Sequence, residues 1–307
     1  MKQLLNFKKI VFCFSLVLFF ALTNSSCQKD PKIVDVHENL LIDSVVAPPY
    51  DGVSQVIVNN YVNRLFIDLL GREPDQTELS DAVYVLYLGD LVEYARGLVV
   101  DDLMSLAEYF ERYHDITSAN FLAGVTDQDI QDQIDLVDYV IYLDSLNGNF
   151  IEMQLLEIEL DKLYTLQNAP QNLMDGIITI NEFYGIYVNN LVYDNINMGT
   201  ENFVKSCFEN MLKRSPTDGE LTSGVSMVDG AASILFLENG TSKGDFIEII
   251  TNNDEFYQGL VIEYFSTLML RDPSSAEIAE HAEDLKNTGD YKGLQKEIVT
   301  SDEYAGF

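Results

Sequence analysis

The sequence predicts an all-α fold in which repeated helical units form a multi-helix bundle behind an N-terminal tether. From Val56 onward, apolar residues recur at the spacing of a buried helix face, with little of the alternation that strands show. Proline, which interrupts helices, occurs only 7 times in 307 residues. A short pattern that contains proline occurs three times and divides the chain into similar units.

The repeated pattern occurs in the segments GREPDQTEL (71–79), KRSPTDGEL (213–221) and LRDPSSAEI (270–278), which align without gaps. Arginine, proline and glutamate recur at equivalent positions: Arg72, Arg214 and Arg271; Pro74, Pro216 and Pro273; Glu78, Glu220 and Glu277. Before each segment, two adjacent apolar residues recur at every fourth step. This spacing predicts one broad buried face on each preceding helix.

Each unit is predicted to contain a helix, an Arg-x-Pro break, a second helix, a variable loop and a final helix with an acidic-aromatic end. The first unit spans 56–115, the second 201–260 and the third 261–307. The intervening region, 116–200, contains acidic amphipathic helices of its own, and we expect it to pack against the second unit.

We interpret the Arg-x-Pro segment as a structural joint between two helices. Pro74 suits the first position of the second helix, where its missing N–H needs no partner, so the preceding residue Glu73 would cap that helix. Gly71 suits the end of the first helix. Arg72 is expected beside the free carbonyls of that helix end, with Glu78 as its partner in a bidentate pair. The alternative is that the arginines contact a ligand, but threefold repetition favours the joint.

The stretch YVNRLFIDLLGREPDQTEL (61–79) resembles a bacterial domain family of unknown function that is built on an L-x-G-R-x-P core. It is similar, more remotely, to the helical linker domains of phycobilisomes. The resemblance implies a helical assembly module, and the family has no established catalytic residues to carry over. The second and third units depart from the pattern because they lack the glycine of Gly71.

The N-terminus predicts export. Three lysines precede an apolar run over residues 10–22, which is shorter than the ~20 residues that span a bilayer as a helix. A basic start, a short apolar core and small residues are typical of a secretory signal peptide, here 1–26.

Cys27 follows the small residues TNSS and resembles the acylated cysteine of bacterial lipoproteins, although Asn24 departs from the usual pattern. The following QKDPK resembles the export signal of surface lipoproteins of Bacteroidota. These resemblances imply a lipid anchor at Cys27, a flexible tether over 27–55 and a place on the outer membrane facing the exterior. The alternative is a signal that is simply cleaved, with Cys27 as an ordinary residue.

Composition and motifs indicate which chemistry to exclude. The net charge is −32, from 50 acidic and 18 basic residues, and such a chain repels nucleic acid. His37, His114 and His281 lack partners at metal-ligand spacing, so we expect solvated side chains, no metal and no cofactor. Cys207 lies on an apolar helix face and is expected to be a buried, inert thiol. The sequence contains neither a G-x-S-x-G elbow nor a phosphate-binding loop.

Aromatic residues in the intervening region are candidates for contact with a partner or ligand. The candidates are Tyr184, Tyr187 and Tyr193. Because the spacing of Phe183, Tyr184 and Tyr187 is that of a helix face, the core is the favoured alternative.

These observations favour a non-catalytic, surface-exposed outer-membrane lipoprotein that acts as a scaffold or accessory subunit and binds an outer-membrane protein. The alternative is a surface lipoprotein that binds a glycan or nutrient and works with an outer-membrane transporter. That alternative predicts a concave, tyrosine-rich pocket.

Overall fold

A computed structural model describes residues 52–307, and over that range the all-α prediction is confirmed. The signal peptide, Cys27, His37 and nearly all of the tether lie outside the described residues. Among the described helices, none is both long enough and apolar enough to cross a membrane.

In the first unit, the opening helix α1 is capped by Ser54, whose hydroxyl accepts from the N–H of Ile57, and it ends at the left-handed residue Gly71. The predicted glycine stop of α1 is therefore confirmed. The helices of this unit and their immediate continuation are α1 (Gln55–Leu70), α2 (Gln76–Leu88), α3 (Glu93–Met104) and α4 (Ala107–Phe121).

The intervening region is helical as predicted, and its first two helices form an antiparallel α5–α6 hairpin around Gly148, which adopts a left-handed conformation. Helix α5 packs mainly on α6, and α6 also contacts α8. The helices are α5 (Asp127–Asn147), α6 (Phe150–Gln167), α7 (Ala169–Met174), α8 (Ile180–Val188) and α9 (Leu191–Ile196).

The second and third units repeat the helix order of the first. Their α-helices are α10 (Thr200–Leu212), α11 (Asp218–Val228), α12 (Lys243–Thr251), α13 (Asp254–Tyr264), α14 (Ser275–Thr288), α15 (Tyr291–Thr300) and α16 (Asp302–Ala305). Helix α13 continues into a π-helix, Phe265–Met269. The second and third units share α13, because it both closes one and opens the other. Helices α4 and α13 thus run across the predicted unit boundaries at 115 and 260.

The second unit also contains a short β-hairpin that helical spacing does not predict. Strands β1 (Ser233–Leu235) and β2 (Glu238–Gly240) pair antiparallel, with Ser233 opposite Gly240. Three-residue strands are too short to show sustained alternation, which explains why the sequence pattern misses them.

The repeated apolar pairs form the core. In α1 the predicted residues are all buried, and their equivalents in α10 and in the helix formed by α13 and the π-helix are buried except for partly buried Met269. The α1 set is Tyr61, Val62, Leu65, Phe66, Leu69 and Leu70. A single apolar cluster continues through all three units and the intervening region.

The backbone turn that follows each opening helix is left-handed in all three units. Gly71 has φ 76°, and the equivalent residues Lys213 and Leu270 have φ 54° and 56°. An L-residue pays roughly 1–2 kcal/mol for this conformation, whereas glycine does not. The second and third units thus keep the geometry of the first despite losing its glycine.

We expect Leu270→Gly to raise the free energy of unfolding by about 0.5–1 kcal/mol. The side chain of Leu270 is 82% exposed, so little burial is lost when it is removed. A urea unfolding curve measures the change. The control is Leu136→Gly, an exposed leucine inside α5, which we expect to lower stability by about 1 kcal/mol. Equal losses in the two variants would contradict the strain at Leu270.

Candidate functional site

The predicted bidentate pair between Arg72 and Glu78 is present. Arg72 Nη1 and Nη2 donate to the two carboxylate oxygens of Glu78, each at 2.7 Å. The same pairing recurs in the other units, at 2.9 and 2.7 Å for Arg214–Glu220 and at 3.2 and 2.7 Å for Arg271–Glu277. The three repeated segments therefore have one geometry.

Each arginine also binds a second carboxylate that the sequence reasoning missed. Arg72 Nε donates to Glu108 Oε2 at 2.8 Å, at the start of α4. The equivalent acceptors for Arg214 and Arg271 are Glu255 and Glu303. These glutamates belong to the acidic-aromatic ends of the units. The recurrence of those ends was visible, but it did not indicate which acid would reach an arginine about 30 to 40 residues away.

The donors of the arginines are almost fully used within each joint. Arg214 and Arg271 each make five hydrogen bonds, which match the five N–H donors of a guanidinium, and one of these reaches the carbonyl of the next residue. Arg72 makes four. Each guanidinium also lies within 5.5 Å of a phenylalanine ring of the preceding helix. Because few donors remain, this geometry favours a joint over a ligand contact.

The prediction that Pro74 is the first residue of α2 is wrong, and so is the N-cap role of Glu73. The cap is Asp75, with Thr217 and Ser274 as its equivalents, so each proline lies just before the cap. In the first copy, Asp75 Oδ1 accepts from the N–H of Glu78, and Glu78 Oε2 accepts from the N–H of Asp75. This capping box requires glutamate three residues after the cap, and the S/T/D-x-x-E spacing in the sequence could have revealed it.

The glutamates of the joints therefore hold two helix ends at once, since each carboxylate accepts from an arginine and from a cap N–H. The arginine hydrogen bonds, followed by the cap N–H, lower the pKa of Glu78 from 4.5 to about 2. Arginine pairing also lowers the pKa of Glu220 and Glu277 to about 2. The partner arginines have a raised pKa and stay charged.

We expect the joints to make the fold acid-sensitive. A carboxyl whose pKa is lowered by folding adds stability above its ordinary pKa of 4.5, and this stability is lost as the pH falls toward about 2. The triple variant Glu78→Gln, Glu220→Gln, Glu277→Gln should be less stable at pH 7 and should lose less further stability between pH 4.5 and 2. Urea unfolding across this range measures the slope.

The matched control for the acid test carries glutamine at three exposed glutamates, Glu152, Glu157 and Glu238. We expect its stability at pH 7 to stay close to that of the wild type. If the control and the joint variant showed the same pH dependence, the joints would not be the source of the acid sensitivity.

The tyrosines predicted as candidate contacts are in the core instead. Tyr184, Tyr187 and Tyr193 are at most 1% exposed, and each hydroxyl bonds to another side chain. Their contact role is therefore wrong, and the favoured core alternative for Phe183, Tyr184 and Tyr187 is confirmed. The helical spacing of Tyr184 and Tyr187 reflects a face of α8 that packs inward.

The prediction of a solvated His114 is also wrong. Its ring is buried because α4 continues past it to Phe121, and it bonds to Tyr187 through Nδ1. Asp127 and Ser118 both approach Nε2, at 2.9 and 3.4 Å. A catalytic triad needs its serine and its acid on opposite ring nitrogens, so this cluster does not form one.

Two further side chains considered in the sequence, Cys207 and His281, are buried or partly buried. The predicted burial of Cys207 is confirmed, and burial raises the pKa of its thiol to about 12, which leaves almost no thiolate at neutral pH. His281 is partly buried against the ring of Phe265, so it is not the solvated side chain that the sequence predicted. Within the described part of the chain, no three His, Cys, Asp or Glu side chains are grouped so that they could hold a metal ion.

The α5–α6 hairpin presents a surface that the sequence reasoning did not single out. Within these two helices, nine large apolar side chains are more than 40% exposed: Leu136, Tyr139, Tyr142, Leu146, Phe150, Ile151, Leu155, Ile158 and Tyr164. We call these nine residues the hairpin face. Residues 127–167, which form the hairpin, contain ten acidic side chains and one base, Lys162. Large apolar side chains that are exposed together on two neighbouring helices are typical of a binding site.

A groove of about 730 Å³ lies where α6, α8 and α12 meet. Its wall includes Lys162 and Thr165 of α6, Gly185 of α8 and Gly244 of α12. The described residues that line it are amides, hydroxyls, acids, isoleucines and glycines, with Lys162 as the one base and without an aromatic ring among them.

No model of a known protein family, no curated protein and no solved structure gives a significant match to the chain. The likeness to the L-x-G-R-x-P family therefore remains a prediction from its residues. The joints, the hairpin face and the groove are the features of the described residues that bear on function.

Proposed function

We propose that the protein is a non-catalytic accessory or scaffold subunit, anchored to the outer membrane through Cys27, that binds a partner protein through the hairpin face. The main support for this proposal is the exposed apolar surface of the α5–α6 hairpin. The repeated joints have the complementary role of keeping the helical body rigid. The anchor itself rests on the N-terminal sequence alone.

The position of α5 supports a docking role. This helix packs mainly on α6, so its outer apolar residues face solvent instead of a neighbouring helix. Fully burying a leucine or phenylalanine side chain is worth about 1.5–3 kcal/mol, so covering even part of the hairpin face would stabilise a complex.

The charge of the hairpin defines the chemistry of the partner. Ten acids against one base, Lys162, produce a net negative field around the apolar residues. A partner with apolar side chains flanked by Lys or Arg complements both features. A second copy of this chain, with its net charge of −32, would be repelled, as would an anionic membrane surface.

The glycan-binding alternative has less support. It predicted a concave pocket rich in tyrosine, but the candidate tyrosines are buried, and none of the described residues that line the groove is aromatic. Sugar rings commonly stack on aromatic faces, which this groove does not offer.

Site-specific photo-crosslinking in the native membrane tests the proposal. A photoreactive residue would replace Tyr139 or Leu155 on the hairpin face. Control positions are Leu237 and Leu270, which are 94% and 82% exposed but lie outside the hairpin. We expect one discrete protein product from the hairpin positions alone. The absence of a product, or identical products from the control positions, would contradict the hairpin as the binding surface.

A further inference from the structure

Helix α6 continues the hairpin face directly into the groove. Ile151, Leu155 and Ile158 are exposed and spaced at i, i+4 and i+7, so they share one side of the helix. The same spacing continues to Lys162 and Thr165, which line the groove. From Ile151 to Thr165 the helix rises about 21 Å, at 1.5 Å per residue. The apolar stripe and the groove thus form one continuous track.

The groove end of this track suits a positive group. Glu182 and Glu248 line it, together with Thr251 and Asn252 at the carbonyl end of α12. The carbonyl end of a helix carries partial negative charge. The base in the lining, Lys162, donates to Glu159 of its own helix at 2.7 Å. The Glu182 carboxylate already accepts from the N–H and hydroxyl of Thr179, so Glu248 is the acid that the groove offers to an incoming basic side chain.

We propose that α6 and the groove form the binding site for a basic amphipathic helix of a partner protein. This inference rests on the proposed function and specifies its partner. The apolar side of the incoming helix covers Ile151, Leu155 and Ile158, and a Lys or Arg at its end enters the groove beside Glu248. A helix presents anchors at i, i+3, i+4 and i+7, which fit a stripe of this spacing. The track length corresponds to about 14 helical residues.

Peptide binding tests this site. The protein is the full chain with Cys27→Ser, so that acyl chains cannot take up the peptide. The probe is a fluorescent 14-residue peptide of leucine and lysine, with leucine at helical spacing. One control peptide has the same composition in strict alternation, which does not form a helical apolar face. Another has glutamate in place of lysine. We expect saturable binding, measured by anisotropy, for the helical lysine peptide alone.

Two protein variants with matched controls locate the binding. Gly244→Leu fills the groove without a clash, because the nearest atom to a new Cβ is Ser242 Oγ at 3.6 Å. Its control is Gly219→Leu, at the second position of α11, where a new Cβ has no atom within 4 Å. Leu155→Asp interrupts the stripe, and Leu270→Asp is its control. We expect Kd to rise about tenfold or more in each site variant and to stay unchanged in each control.

The outcomes separate this inference from the proposed function. If site variants and controls bind the helical peptide equally, or if no peptide binds saturably, the site on α6 is wrong. If binding is lost in Tyr139→Asp of α5 but kept in Leu155→Asp and Gly244→Leu, the hairpin binds partners elsewhere and this inference is wrong. Crosslinks to a partner at Leu155 without peptide binding would reject the helical partner and keep the proposed function.

Discussion

Replacing Gly259 by alanine is expected to lower the free energy of unfolding by about 3 kcal/mol or more. Gly259 lies on α13, where that helix crosses the end of α10. A Cβ there would lie 2.0 Å from the carbonyl oxygen of Met211 and 3.6 Å from Cα of Leu212. Both atoms belong to backbone, so a side chain cannot relieve the clash by rotating, and α10 and α13 must move apart.

Thermal unfolding followed by circular dichroism measures the loss at Gly259. Gly219→Ala is the matched control, because a Cβ there meets no atom within 4 Å and alanine is a better helix former. We expect the control to melt at or above the temperature of the wild type. A Gly259→Ala protein that melted with its control would show that α10 and α13 do not approach this closely.

Lys213→Met is expected to cost about 3 kcal/mol, because it leaves a buried carboxylate without its cation. Lys213 Nζ donates to Glu263 Oε2 at 2.7 Å, and Glu263 is 8% exposed. Glu263 also accepts from Tyr184, whose hydroxyl is bonded to that of Tyr113. The lost cation thus affects a network that joins the first unit, the intervening region and α13.

A second change separates charge from packing at this site. In the double variant Lys213→Met, Glu263→Gln, the buried group is neutral, so we expect most of the lost stability to return. Chemical denaturation of the four proteins in this double-mutant cycle gives the coupling free energy. A double variant less stable than Lys213→Met alone would show that the loss does not come from the unpaired charge.

Lys213 also shows how the second unit differs from the first at the position of Gly71. It occupies the left-handed position of Gly71, and its ammonium pairs with Glu263. At the crossing of α10 and α13 the glycine is Gly259, on the later helix. At the equivalent crossing of α1 and α4 the glycine is Gly71, at the end of the earlier helix, and a Cβ on Gly71 would lie 2.9 Å from Arg112 Cδ. Arg112 and Gly259 are four residues after equivalent glutamates, Glu108 and Glu255. The first and second units therefore place glycine on different helices of the equivalent crossing.

The sequence predicts much of the fold because local rules determine it. The apolar pairs around Phe66 and its repeats required a buried helix face, and proline required the first helix to stop. The bidentate partner of Arg72 could be predicted because Glu78 is only six positions after Arg72. Glu108 was missed because its approach depends on how α1 and α4 pack, which no local spacing encodes.

The candidate site was less predictable than the fold. An amphipathic pattern shows that Leu155 lies on an apolar stripe, but it does not show whether a neighbouring helix covers that stripe. For the same reason the sequence left Tyr184 open between a contact role and the favoured core, because its spacing was clear and its neighbours were not. Only the packing of α5, α6 and α8 distinguishes the exposed leucine from the buried tyrosine.

We propose that the hairpin face binds the partner, whereas the Arg-x-Pro joints stabilise the fold. The most direct test measures the amount of crosslink-identified partner that copurifies from native membranes with Ile158→Asp and with Arg72→Met, beside the melting temperature of each variant. We predict that Ile158→Asp loses the partner and melts like the wild type, while Arg72→Met melts at a lower temperature and retains the partner. A wild-type melting temperature with loss of the partner in Arg72→Met would contradict the claim and make Arg72 a contact residue.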